Sequence, residues 1–87
     1  MDVQVKIRSF VEQNFYVAEG DRLSDDASLI RTGIVDSTGV LEIIGFLETE
    51  FRIEVEDRDA VPANLDSIAR IAAFVARKRA TGSREVA

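Results

Sequence analysis

The sequence predicts an all-α fold: a small antiparallel bundle of three main helices plus one short helix, with a long first loop. Three observations carry that prediction. Apolar residues recur at helical spacing in three separate stretches, no run alternates apolar and polar residues as a half-buried strand would, and 87 residues fit a single modest core. Apolar residues make up 46% of the chain and charged residues 31%, a globular balance in which burial can offset the entropy of ordering.

The first helix is expected from about residue 3 to 16, where Val3, Ile7, Phe10, Val11 and Phe15 share one face. Gly20 ends that pattern. The connection from Asp21 to Thr32 is long for so small a domain, and Leu23, Leu29, Ile30 and Ile34 are the residues expected to pin it to the core. The second helix is expected over Val40 to Phe51, with Val40, Ile43, Ile44, Leu47 and Phe51 buried, Phe46 alongside, and Leu41, Glu42, Thr49 and Arg52 facing outward. A helical turn is expected near Asp57 to Val61, with a boundary at Pro62. The last helix starts near Asp66 or Ser67, buries Ile68, Ile71, Ala72 and Val75 with Phe74 flanking, and fades through Ala80 to Ser83. This gives one domain over residues 1–80 and a flexible tail over 81–87. No internal repeat or low-complexity tract appears.

Composition narrows the chemistry. The chain has no cysteine and no histidine, so it brings no disulfide, thiolate, imidazole base or usual zinc ligand of its own. A net charge of -5 disfavours nucleic acid and suits a partner with a basic face. Glu42 and Glu48 interrupt the best apolar stretch, so no membrane span is expected. The start Met1-Asp2-Val3-Gln4-Val5-Lys6 lacks the pattern of a secretory signal, which implies a cytoplasmic location. Charge is uneven: eight acids face two bases between Asp36 and Asp59, whereas Arg77, Lys78, Arg79 and Arg84 gather near the end without an acid between them. Helix-dipole complementation is a sufficient account of that basic end.

The chemically informative stretch is Gly33-Ile34-Val35-Asp36-Ser37-Thr38-Gly39, which leads into the second helix and sets one serine at a helix start beside acidic positions. An Asp-Ser pair at a helix start is ordinarily a cap, and Asp66-Ser67 is a second such pair in the same chain. The context of Ser37, with a Gly-Ile-Val approach, a long preceding loop and an acidic following helix, separates the two. In that context the pair resembles the phosphopantetheine attachment site of acyl and peptidyl carrier proteins. The resemblance extends from Val3 to about Arg79: Asp25-Asp26-Ala27-Ser28-Leu29 is similar to the segment before the motif in that family, Phe51-Arg52-Ile53-Glu54-Val55 to the end of its second helix, and Asn64-Leu65-Asp66-Ser67-Ile68 to the start of its last.

The resemblance implies a carrier and not an enzyme. A 4'-phosphopantetheine arm from coenzyme A would be attached to Ser37 by a separate phosphopantetheinyl transferase, making a phosphoprotein that holds an acyl or aminoacyl group as a thioester. Asp36 would cap the helix and lie near the transferase's metal. Thr38, Leu41, Glu42 and Glu48 would form the partner surface, the acids steering encounter and the exposed Leu packing locally. Further partners would be an acyl- or aminoacyl-loading ligase and downstream acyl-transfer enzymes of a biosynthetic pathway, served by a monomer. Asp-Ser-x-Gly is more similar to D-alanyl and other aminoacyl carriers than to fatty-acid carriers, which often have Leu at the position of Thr38 and a large exposed apolar residue at that of Gly45. The alternative from another class is an unmodified acidic helical protein-interaction module. Calcium binding is disfavoured, because neither Asp21 to Asp26 nor Glu54 to Asp59 has the required loop spacing with a central Gly.

Overall fold

The computed structural model describes residues 2–15 and 24–82, the side chains of 81 and 82 excepted. The expectations for Tyr16, Gly20, Leu23 and the segment from Ser83 onward therefore lie outside the described residues. Four α-helices and no strand are present among them: α1 (Val3–Asn14), α2 (Ser37–Phe51), α3 (Pro62–Leu65) and α4 (Ile68–Gly82), with a 3₁₀ turn at Asp57–Asp59. The fold class is as expected from the sequence.

The helices form because their apolar residues fall on one side and have each other to bury against. Ile7 and Val11 of α1, Ile43, Leu47 and Phe51 of α2, Leu65 of α3, and Ile68, Ile71, Phe74 and Val75 of α4 make one core, which Leu29 and Val35 of the first loop complete. Helix α4 packs against α1, α2 and α3. Phe10 of α1 stacks on Phe46 of α2 with ring centroids 4.2 Å apart, and Phe46 meets Phe51 edge-on at 5.8 Å, so an aromatic column joins the first two helices.

Four sequence expectations change. Helix α2 begins three residues earlier than the apolar stripe, because Asp36 caps it. The short helix is α3, with Pro62 in its first turn where a missing N–H costs nothing, and the expected turn before it is only the 3₁₀ segment. Phe74 lies in the core and does not merely flank it. Ile30 does not pin the loop: its side chain is exposed and lines an open groove of about 370 Å³ with Arg31, Pro62 and Arg70.

Polar contacts hold the loop where a run of apolar anchors was expected. The Asp66 carboxylate accepts hydrogen bonds from Ser28 Oγ at 2.7 and 2.9 Å and from the Ile30 N–H at 3.0 Å. The Leu29 N–H donates to the Asp66 carbonyl, and the Val35 N–H to the Leu29 carbonyl. Asp25 accepts from Gln4 and Arg8 of α1, while its carbonyl takes the Ala69 N–H of α4. Gly33 supplies the left-handed turn (φ 82°) that brings the chain round to α2.

At the other end, the basic residues of α4 are tied into the fold. Lys78 Nζ lies 3.1 Å from Asp59 Oδ2, Arg77 donates to Asn64 at 2.7 Å, and Arg79 sits over the Phe51 ring.

Candidate functional site at the start of α2

Asp36 is the N-cap of α2, with extended backbone and a carboxylate that accepts from the Gly39 N–H at 2.8 Å. That satisfies one of the donors a helix start leaves without an intrahelical partner. Ser37 follows as the first helical residue, with an exposed side chain whose hydroxyl makes no hydrogen bond among the described residues. Its position is fixed by its neighbours. Val35, two residues earlier, is buried, and Gly39, two residues later, is buried against Phe15.

Gly39, which enters the sequence reading only as the glycine of Asp-Ser-x-Gly, also has a packing role at the site. A Cβ built there would lie 2.7 Å from Phe15 Cε1 and 3.1 Å from Val35 Cγ1. The absence of a side chain lets α2 start directly against the end of α1.

The second Asp-Ser pair shows how differently the same dipeptide can be used. At Asp66-Ser67 the frame is shifted by one residue: Ser67 itself caps α4, its Oγ accepting from the Arg70 N–H at 3.1 Å, and its side chain is only 3% exposed. Asp66 turns away to hold the first loop. One serine is consumed by the fold and the other is left to solvent.

No family model matches the chain. A curated relative from Serratia sp. (strain ATCC 39006), described as a probable acyl carrier protein and named PigG, is 26% identical over 78 residues, which is 90% of each chain. This similarity supports an acyl-carrier-like family. Any stretch of that length in an 87-residue chain contains Ser37, the first loop and most of α4.

Around Ser37 the chain presents Thr38, Leu41 and Glu42 to solvent on α2, with Leu41 68% exposed. Glu48, the fourth expected surface residue, is half-buried, and one carboxylate oxygen accepts from the Val55 N–H at 2.9 Å, tethering the chain that leaves α2. Sequence reasoning could not find that bond, which depends on how the chain turns after Arg52. Among the described residues no cluster of His, Cys, Asp and Glu could hold a metal ion, and no helix is long and apolar enough to cross a membrane.

Proposed function

We propose that this protein is an acyl carrier whose Ser37 takes a 4'-phosphopantetheine arm. The observation that carries the reading is the frame of the first Asp-Ser pair: Asp36 meets the capping requirement of α2, so the Ser37 hydroxyl stands exposed and unbonded among the described residues. Those residues fit such a group. The first turn of a helix retains backbone N–H donors and the positive end of the macrodipole, both favourable to a phosphodiester.

Ser37 Oγ would form a bond to phosphorus of the coenzyme A pyrophosphate as the P–O bond to the departing adenosine 3',5'-bisphosphate breaks. The hydroxyl proton must pass to a base on the transferase, because the chain has no histidine and, among the described residues, no carboxylate is hydrogen-bonded to Ser37. Once attached, the arm supplies a terminal thiol that holds an acyl or aminoacyl group as a thioester. Asp36 keeps the helix start closed, and Thr38, Leu41 and Glu42 meet the partner enzymes, with Glu48 behind them stiffening the end of α2. The partners are the transferase, a loading ligase and downstream acyl-transfer enzymes of a cytoplasmic biosynthetic pathway. Thr38-Gly39 after the serine favours an amino acid or small acyl cargo.

The test is intact mass after incubation with coenzyme A, Mg²⁺ and a broad-specificity phosphopantetheinyl transferase. One phosphopantetheine is expected on the wild type and on Ser67→Ala, and none on Ser37→Ala. A folded wild type that stays unmodified with two different transferases would replace this reading with that of an unmodified interaction module.

A further inference from the structure

The second Asp-Ser pair leaves one of its members without a helix to serve. Ser67 caps α4, so the Asp66 carboxylate is not needed there. Every polar atom of Asp66 is nevertheless bonded. Its N–H donates to the Pro62 carbonyl at 3.0 Å and closes α3, and its carbonyl accepts the Leu29 N–H at 2.7 Å. Oδ1 accepts from both Ser28 Oγ and the Ile30 N–H, and Oδ2 from Ser28 Oγ. Three consecutive residues of the first loop are thus gripped by one residue at the corner between α3 and α4.

That grip reaches the start of α2. Leu29, held from the corner, in turn accepts the Val35 N–H at 3.0 Å across the turn at Gly33. Val35 is buried, and the chain runs from it through Asp36 directly to Ser37. A continuous line of hydrogen bonds, Asp66 to Leu29 and Leu29 to Val35, therefore joins the corner to the segment that presents the serine. The carboxylate bonds secure the residues on either side of Leu29, so the line depends on the Asp66 side chain as well as on its backbone.

We infer that Asp66 is a positioning residue for modification of Ser37: its carboxylate holds the loop so that Ser37 is offered in one arrangement. This rests on the carrier reading. An enzyme that closes on Ser37 binds only chains whose approach segment is in place, and its apparent affinity falls with the fraction of chains that have it so. A loop released from the carboxylate, and correctly placed about one-tenth of the time, would raise KM about tenfold. The turnover number would be retained, because the hydroxyl is unchanged once seated.

The experiment compares phosphopantetheine transfer from coenzyme A to the wild type, Asp66→Ala, Asp66→Asn, Ser28→Ala and Ser67→Ala, each assayed below its melting temperature. Asparagine keeps an oxygen in the place of Oδ1, which accepts both loop donors, so Asp66→Asn should retain the grip. Ser67→Ala weakens the neighbouring helix start without releasing the loop. KM is expected to rise about tenfold in Asp66→Ala and about threefold in Ser28→Ala at retained kcat, and to stay at the wild-type value in Asp66→Asn and Ser67→Ala. Amide hydrogen exchange at Val35, which needs no transferase, should be faster in Asp66→Ala than in Ser67→Ala. If Asp66→Ala does not fold, Ser28→Ala decides. A wild-type KM in the folded loop variants, an equal rise in Ser67→Ala, or no recovery in Asp66→Asn would overturn the inference with the carrier reading intact. An unmodified wild type would overturn both.

Discussion

Ser37→Ala and Ser67→Ala remove the same hydroxyl from the same dipeptide, and they should differ sharply in stability. Ser67 caps α4 through the Arg70 N–H and is buried, so its loss removes a cap worth about 1 kcal/mol and leaves a donor in a part-buried site without its acceptor. The expected cost is about 1.5 kcal/mol, or roughly 6–12 °C in Tm for a domain of this size. Ser37 occupies the first helical position, is exposed and makes no bond among the described residues that its removal would break. Alanine is also the better helix former, so Ser37→Ala should change stability by no more than about 0.5 kcal/mol in either direction.

Asp36→Ala provides the control, because it deletes the bond to the Gly39 N–H and should cost about 1 kcal/mol although it lies beside the neutral site. Urea unfolding followed by circular dichroism measures all three variants, with m-values compared to verify that the same surface is exposed in each. If Ser37→Ala proved as costly as Ser67→Ala, the Ser37 hydroxyl would be engaged within the fold. The frame of the first pair would then not leave that hydroxyl free.

Two further outcomes follow from polar contacts outside the site. Asp66→Ala removes the bonds from Ser28 Oγ and the Ile30 N–H but keeps the backbone bond from Leu29; it should cost about 2 kcal/mol in urea unfolding and speed hydrogen exchange at Ile30, and a loss under about 0.5 kcal/mol would show that the loop is held by other means. The Asp59 carboxyl is held below its ordinary value by the Glu56 N–H, and then by Lys78, against an opposing effect of burial. Because its folded pKa is the lower one, its contribution to stability is complete above the unfolded value of about 3.9 and disappears as pH falls through the folded value. Asp59→Asn should therefore be less stable than wild type at pH 7, with the gap closing only below about pH 4; a gap unchanged down to pH 2 would exclude this linkage.

The main helices were legible because Ile43, Leu47 and Phe51, and likewise Ile68, Ile71 and Val75, repeat at helical spacing and have a core to enter. The loop was only partly legible. Leu29 enters the core, but the adjacent Ile30 is turned outward by a backbone whose N–H groups are taken by Asp66, and no local pattern announces a carboxylate 36 residues away. Helix α3 spans four residues, about one turn, too short for periodicity to reveal; Pro62 was its sole signal, and read as a boundary it marked the right place. At the site, the exposed positions of Leu41 and Glu42 followed from the helical repeat, whereas Thr38 lies before the expected helix and was named only through the family resemblance. The engagement of Glu48 did not, since it depends on Arg52 adopting a left-handed conformation (φ 56°) that glycine or asparagine more often occupies.

The frame of an Asp-Ser pair decides what its serine can do. When serine is the N-cap, its oxygen lies over the helix end and accepts a backbone N–H, so an attached group would displace a bond on which the helix depends. One residue later the side chain has no such duty. At the start of α2 the structural requirements are all met by other residues: Asp36 caps, Val35 fills the core and donates to Leu29, and Gly39 permits the approach of Phe15. Ser37 is held in place from both sides by residues that do not use its hydroxyl. Chemistry at that oxygen can therefore proceed without disturbing the bundle, and a bulky group attached there would project from a rigid helix end.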